Sequence, residues 1–368
     1  MNWTETTLGE VLPFRYGKNL PATKRSHSGE FDVVTSAGVV DSHSEPFVTQ
    51  PSVVIGRKGT IGSLTYCAEP CWPTDTTFFT TGSAACDIQF GYYFLKTVPL
   101  GEMNNDSAVP GLNRGEAEAL PVRIPELSEQ KRISRLLGSL DDKIAANTRA
   151  INSSIALAES LVDRGSRSTR VRLGDVARIT MGTSPKGEYL NEEVSGLPFY
   201  QGVRDFGDLT PQKRVFTENP VREAEAGDIL FAVRAPVGEV NIASEPTAIG
   251  RGLATIRGLS NHVALFYLLR SHPEIWKTHQ DNGTVFASIN KTDLSNALIP
   301  EIEMDQSQCE LLAELHNQSL VLSSQNLILT KTRDELLPLL MSGKITVKEA
   351  EQEAASAGAD IAGEESEA

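Results

Sequence analysis

Leu8-Gly9-Glu10-Val11, followed by Phe14-Arg15-Tyr16-Gly17, is written a second time as Leu173-Gly174-Asp175-Val176, followed by Ile179-Thr180-Met181-Gly182. Self-similarity over a long period is read before local structure, because it fixes the architecture. The two copies stay in step. Val53-Val54-Ile55-Gly56-Arg57-Lys58-Gly59-Thr60-Ile61-Gly62 corresponds to Asp228-Ile229-Leu230-Phe231-Ala232-Val233-Arg234-Ala235-Pro236-Val237-Gly238. In each, an apolar strand runs into a basic residue and a Gly/Pro turn and returns as a second strand, which predicts equivalent hairpins. Aromatic-rich helical stretches come next, at 90–95 and 264–269. A third echo, Gly111-Leu112-Asn113-Arg114 against Ser288-Ile289-Asn290-Lys291, leads into 120–125 and 297–300.

Each copy closes on a long segment with almost no Pro or Gly, which predicts a helix of roughly 30 residues. In the first, Ile133, Leu137, Leu140, Ile144, Asn147, Ile151, Ser154, Ala158 and Leu161 alternate spacings of four and three. In the second, Leu312, Leu315, Ser319, Leu322, Asn326, Leu329, Arg333, Leu336 and Leu340 do the same, with Pro338 expected to kink or end the helix. One Asn stands at the middle of each seam. If the helices pair antiparallel, Asn147 faces Asn326, and a buried Asn pair fixes register at some cost in stability. The alternative, that one or both lie at the solvent edge, stays open at this stage. The expected fold is α+β: two tandem-repeated mixed domains separated by two long antiparallel coiled-coil helices. The expected boundaries are 1–127 for the first domain, 128–168 for the central spacer helix and 169–303 for the second domain. The C-terminal spacer helix is expected over 304–343 and an acidic tail over 344–368.

An apolar fraction of 40% suffices for two cores, but a net charge of −14 argues against a simple basic DNA-coating protein. Part of the charge is local: from Lys348 to Ala368 one lysine stands against seven acids. With almost no large apolar side chain, that stretch reads as a disordered, solvating tail. No run approaches the roughly 18 apolar residues of a membrane helix, and Met1 to Glu10 carry no leader pattern, so a soluble, cytoplasmic protein is expected. Cys67, Cys71, Cys86 and Cys309 are too few and too scattered for a disulfide framework. Cys67 and Cys71 lack the second pair that a zinc site needs, and no metal is expected.

The residues leading into the first long helix, Leu120-Pro121-Val122-Arg123-Ile124-Pro125-Glu126-Leu127-Ser128-Glu129-Gln130-Lys131-Arg132-Ile133, resemble the central helix of type I restriction-modification specificity subunits. The continuation Leu136-Leu137-Gly138-Ser139-Leu140-Asp141-Asp142-Lys143-Ile144 is equally similar, and the tandem layout extends the resemblance over nearly the whole chain. In the second copy, Ile299-Pro300-Glu301-Ile302-Glu303-Met304-Asp305-Gln306 keeps the proline and the glutamine but not the Glu-Gln pair. The resemblance implies two target-recognition domains, each reading one half of a bipartite target in double-stranded DNA, with the helices setting the unread gap. It also implies two methyltransferase subunits and restriction/translocase subunits as partners. S-adenosylmethionine would then belong to the methyltransferase partner, and ATP and Mg to the restriction partner, with no cofactor in this chain. The geometry is physically sensible: readers on one face of a duplex sit about 34 Å apart, and a helix of about 30 residues spans about 45 Å.

No chemistry of its own is expected. The sequence has no Gly-x-x-x-x-Gly-Lys-Ser/Thr phosphate loop. Asn219-Pro220-Val221 lacks the second proline and the aromatic residue of an amino-methyltransferase motif, and no Gly-rich turn follows a strand as an S-adenosylmethionine site requires. Candidate DNA contacts in the first copy are Lys18, Lys24, Arg25 and His27 in a loop, Arg57 and Lys58 at a hairpin tip, and Asn113 and Arg114. In the second they are Lys186, Arg204, Lys213, Arg214, Arg234, Arg251, Asn290 and Lys291. Arg and Asn read guanine and adenine edges, and Lys mostly anchors phosphate; each taken singly also reads as a plain exposed charge. Met1 to Pro125 hold nine Lys/Arg against thirteen Asp/Glu, so isolated binding should be weak and salt-sensitive. The competing reading is a coiled-coil scaffold that binds protein partners without recognising DNA.

Overall fold

The computed structural model describes residues 3–103, 111–277 and 288–358. They fall into two units: Met1–Ala145 together with Leu327–Ala368 (unit 1), and Ala146–Asn326 (unit 2).

Unit 1 opens with β1 (Trp3–Thr7), the one-turn helix α1 (Leu8–Val11) and β2 (Arg15–Tyr16). It continues through β3 (Phe31–Thr35), β4 (Gly38–His43), β5 (Ser52–Gly56), β6 (Leu64–Cys67), β7 (Cys71–Pro73) and β8 (Thr77–Thr80). Then come α2 (Ile88–Leu95), α3 (Arg114–Glu118), β9 (Pro121–Pro125) and the first half of α4 (Leu127–Gly165). One sheet has the order β2-β8-β5-β6, a second β4-β3-β7, and β1 pairs with β9. Every residue of β5 is buried, which explains why it reads as an unbroken apolar run rather than an alternation: it lies between two neighbours and is covered on both faces.

Unit 2 repeats the plan. After the second half of α4 come β10 (Ser166–Arg172), α5 (Leu173–Val176), β11 (Ala177–Met181), β12 (Leu190–Asn191), β13 (Leu197–Tyr200), β14 (Phe216–Thr217) and β15 (Glu223–Ala224). Next are β16 (Ile229–Ala232), β17 (Val240–Ile242), β18 (Thr247–Ile249), β19 (Leu253–Gly258), α6 (His262–Ser271), α7 (Lys291–Asn296) and β20 (Leu298–Ile302). The sheet β11-β19-β16-β17 matches β2-β8-β5-β6, and β10-β20 matches β1-β9. The repeated Leu-Gly turns do the same work: Leu8 N–H donates to the Leu120 carbonyl and Leu173 N–H to the Ala297 carbonyl, both at 2.9 Å. The predicted hairpins are real, with Ile55 opposite Leu64 and Phe231 opposite Val240. Their register is finer than the sequence suggested. Ile55 and Phe231 are equivalent, since Tyr16–Phe78–Ile55 and Met181–Ala254–Phe231 run across corresponding strands. Arg57 is therefore matched by Val233, and Lys58 by Arg234.

Helices α4 and α8 (Gln306–Met341) pair antiparallel, and each contributes to both units. In unit 1, Ile133, Leu137 and Leu140 share a core with Leu329, Leu336 and Leu340. In unit 2, Ile151 and Ala158 share one with Leu312. At mid-seam Asn147 is buried, and its Nδ2 donates to Asn326 Oδ1 and to Gln325 Oε1, each at 2.9 Å. Asn326 Nδ2 in turn donates to Thr148 Oγ1 at 3.2 Å. The facing-Asn alternative is the one realised. Pro338 lies inside α8, which runs on to Met341, near enough to the end that few backbone bonds are lost.

Gln130, within the family-like stretch, is fully buried. Its amide donates to the Ala85 and Pro125 carbonyls and accepts from Asp87 N–H, pinning the start of α4 to the loop before α2. Gln306 does not repeat this role: it is exposed and bonds Glu310 one turn on. The glutamine surviving in the second copy is thus not the functional counterpart of the first.

The expected disordered tail is corrected by a helix, α9 (Val347–Ser356). Thr346 and Glu349 form a reciprocal capping box. Val347, Ala350 and Ala354, spaced three and four apart, form one face buried in the core of unit 1. The chain turns into α9 through Gly343 at φ +70°, where a Cβ would come within 2.9 Å of the Trp3 indole. Residues 359–368, the remainder of that expected tail, lie outside the described residues. Among those described, no helix is long and apolar enough to cross a membrane.

Candidate nucleic-acid interface

In unit 2, three of the predicted cations meet. Arg204, Arg214 and Arg234 come from separate segments and line one open cleft of about 480 Å³, together with Phe199, Gln201 and Asp205. Arg214 is held from within: its Nε donates to the nearly buried Asp205 at 2.6 Å. That pair cancels, so the cleft's net positive charge rests on Arg204 and Arg234, whose side chains have no partner among the described residues. Arg234 is carried to the rim by the hairpin between β16 and β17, and its strand is braced where Ile289 N–H donates to the Val233 carbonyl. Gly252 lies in the same cleft, and a Cβ there would come within 2.1 Å of the Gln201 carbonyl, so glycine lets two chain segments approach closely.

The other predicted residues of unit 2 are not gathered there. Lys213 pairs with Glu245 and Lys186 with Glu188 at 3.7 Å, on the surface. Arg251 is exposed, its backbone N–H donating to Ser184 Oγ at 3.2 Å. Asn290 caps α7: its side chain accepts from Asp293 N–H, which leaves Lys291 exposed in the first turn.

In unit 1 the predicted cations form three separate groups. Lys18 lies over the rings of Phe47 and Trp72, 5.6 and 5.5 Å from their centroids, while Trp72 Nε1 donates to the Lys18 carbonyl. Arg25 and His27 both reach Asp41, at 3.6 and 2.8 Å. The Ser42 backbone N–H, and after it His27 and Arg25, hold the Asp41 carboxyl below its usual range. Lys24 is exposed in the short turn Ala22–Lys24. Arg57 and Arg114 form the third group, converging on Tyr16 at 5.4 and 5.8 Å from its ring centroid. Lys58 is exposed at the hairpin tip. Asn113, like Asn290, is a helix cap, accepting from Gly115 and Glu116 N–H. Its repetition has a local physical cause, namely the orphan N–H groups of a short helix.

Sequence reasoning passed over Tyr16, Phe199 and Gln201. For Tyr16 a signal was present: an aromatic residue directly before Gly17, whose Cβ would fall 2.0 Å from the Thr74 carbonyl. For Phe199, inside β13, and Gln201, just after it, there was none, because nothing local in the sequence marks the end of that strand as the wall of the cleft. Among the described residues no group of three His, Cys, Asp or Glu is placed to hold a metal ion, and Cys67 and Cys71 are buried thiols.

The family model for the type I restriction modification DNA specificity domain matches residues 1–157 and again 166–321. A chain assigned as the MjaX type I restriction enzyme specificity subunit of Methanocaldococcus jannaschii is 29% identical over 265 residues. The match covers 64% of this chain and 62% of that relative. Among solved structures, the type I restriction-modification S subunit from M. genitalium superposes with a TM-score of 0.69 at 15% identity, covering 92% of this chain and 96% of that one. The HsdS subunit from Thermoanaerobacter tengcongensis is 22% identical, with 96% of each chain covered and a TM-score of 0.37.

Proposed function

The chain belongs to the type I restriction-modification DNA specificity family, and from that premise we propose that each unit reads one half of a bipartite target in double-stranded DNA while the paired helices set the unread gap. It acts as the non-catalytic recognition subunit. Two methyltransferase subunits, carrying S-adenosylmethionine, supply the methylation, and restriction/translocase subunits, carrying ATP and Mg, supply cleavage. The observation that carries the reading is the arginine cleft of unit 2. Arg204 and Arg234, whose side chains have no partner among the described residues, line a concave surface of about 480 Å³ beside an Arg214 locked by Asp205. Guanidinium forks over an open cleft suit base edges and phosphates, and a local group of arginines fits an acidic chain that touches DNA over a narrow face. The exposed Leu311 and Val321 of α8 in unit 2, and its exposed Leu327 and Ile328 in unit 1, offer apolar surface for partner subunits.

The test is to co-express the chain with its cognate methyltransferase subunit and map methylated adenines across a plasmid library. The expected result is a split motif of two short defined halves and a fixed gap, with R204A and R234A degrading one half. A complex that assembles but methylates nothing, or a motif unchanged when residues 171–300 are replaced by another domain, would put the protein-binding scaffold in its place.

A further inference from the structure

Tyr16 stands out on the surface of unit 1. The residue is 55% exposed, and its ring meets the buried Phe78 at a centroid distance of 5.0 Å. Two guanidiniums lie near it despite their mutual repulsion, and each has a second tether. Arg57 packs over Phe78 as well and donates from Nη2 to the Asp75 carbonyl at 2.9 Å, with its Nε buried. Arg114 donates from Nε to Glu118 Oε2 at 3.2 Å. Glu118 spends its other oxygen on Phe14 N–H at 2.7 Å, tying β2 to α3 around the cluster. The end-on Nη pair of Arg114 has no partner among the described residues, and its side chain is 44% exposed.

Unit 2 keeps the backbone of this arrangement and none of its side chains. The strand registers match Tyr16 to Met181 and Phe78 to Ala254. The bonds from Leu112 N–H to the Arg57 carbonyl and from Ile289 N–H to the Val233 carbonyl match Arg57 to Val233. The caps Asn113 and Asn290 match Arg114 to Lys291. Gly9 against Glu118 and Gly174 against Ser295 complete the set. Five positions replaced together show that the fold does not require the cluster. It is a module belonging to one unit.

A guanidinium fixed along one edge by a carboxylate and steadied over a ring presents a planar fork whose orientation is already set, so little further side-chain entropy is lost on binding. Guanine O6 and N7 are the adjacent acceptors such a fork matches. Phosphate anchoring asks for no fixed plane and is served by mobile lysines, the residue type unit 2 carries at 291. We propose that Arg114 reads a guanine in the half-site contacted by unit 1, with Tyr16 and Arg57 as positioning residues. This rests on the DNA-reading function proposed above.

The experiment maps the methylation motif of the assembled methyltransferase complex carrying R114A, R114K or Y16L. R114K keeps the charge, suits the exposed site, and installs the side-chain type of unit 2. For R114A and R114K the expected result is loss of about tenfold or more in discrimination at one guanine position of one half, with the other half and the gap unchanged. Y16L should show a smaller loss at that same position. Two results overturn the proposal: an unchanged motif with R114A and R114K, or an even loss of affinity on all sequences with a shallower salt dependence, the mark of a phosphate contact. In both, the wild-type complex still yields a split motif. If the wild type yields none, the DNA-reading function itself fails.

Discussion

Acid should loosen unit 2 through one side chain, His316. It is 7% exposed, packs edge-on against Phe266 and Tyr267, and has Nδ1 3.3 Å from the Tyr267 hydroxyl. Burial, with a smaller contribution from the nearby His262, holds its pKa down to about 4, against 6.5 for a free imidazole. The folded state therefore needs a neutral ring, while the unfolded chain takes up a proton below pH 6.5. Stability from this group is complete above pH 6.5 and falls as the pH drops from 6.5 towards 4. The full loss is about 3 kcal/mol, of which about 1.4 kcal/mol has gone by pH 5.5. The assay is urea unfolding of wild type and His316→Leu at pH 7.5 and 5.5. It is followed by the fluorescence of Trp276 in a W3F/W72F background, so that the signal comes from unit 2. Wild type should lose about 1.4 kcal/mol more than H316L over that interval. Parallel losses in the two proteins would mean that protonation of His316 does not act on folding, and the burial argument would fail.

Asn147→Leu should cost unit 2 about 1–3 kcal/mol by taking the donor from two oxygens in a buried seam, and the double variant N147L/N326L should recover most of it, as measured by a double-mutant cycle in urea. Gln130→Leu removes three hydrogen bonds at a fully buried position and should lower the stability of unit 1 by about 2–3 kcal/mol, read from the unfolding of unit 1 by Trp72 fluorescence. Ala354→Asp places a charge in the core of unit 1 and should cost more than about 2 kcal/mol, whereas Glu353→Ala on the exposed side should stay within about 0.5 kcal/mol. Equal, small effects on thermal unfolding from those last two changes would mean that α9 does not pack as described.

The tandem plan was legible because its repeated residues do repeated structural work: Leu8 and Leu173 close the same loop, and the hairpins at 53–62 and 228–238 hold the same place in their sheets. The Asn pair was legible because mid-seam positions on two antiparallel helices come face to face. The helix at 347–356 was not, because disorder was judged from the lack of large apolar side chains, and its buried face is a valine and two alanines. The equivalence of Arg57 with Val233 was also hidden. Both copies place a basic residue near the turn, and only strand register shows that they are one position apart. For the site, the cations were visible but not their grouping. Arg204 and Arg214 reach the cleft from the connection after β13 and Arg234 from the hairpin after β16, a meeting that only the fold brings about, while Asn113 and Asn290, chosen for their repetition, repeat because short helices need caps.

Unit 1 is assembled from both ends of the chain, Met1–Ala145 and Leu327–Ala368, and unit 2 is the uninterrupted stretch between them. On the ribosome the order of completion is therefore inverted. The second-written unit has all its residues first, and the first-written one waits for the last helix to emerge. A stop after α8 would spare unit 2 and damage unit 1, whose strands are made earlier. For the same reason a crossover pair near 146 and 326 exchanges one whole folding unit while the other is inherited unchanged.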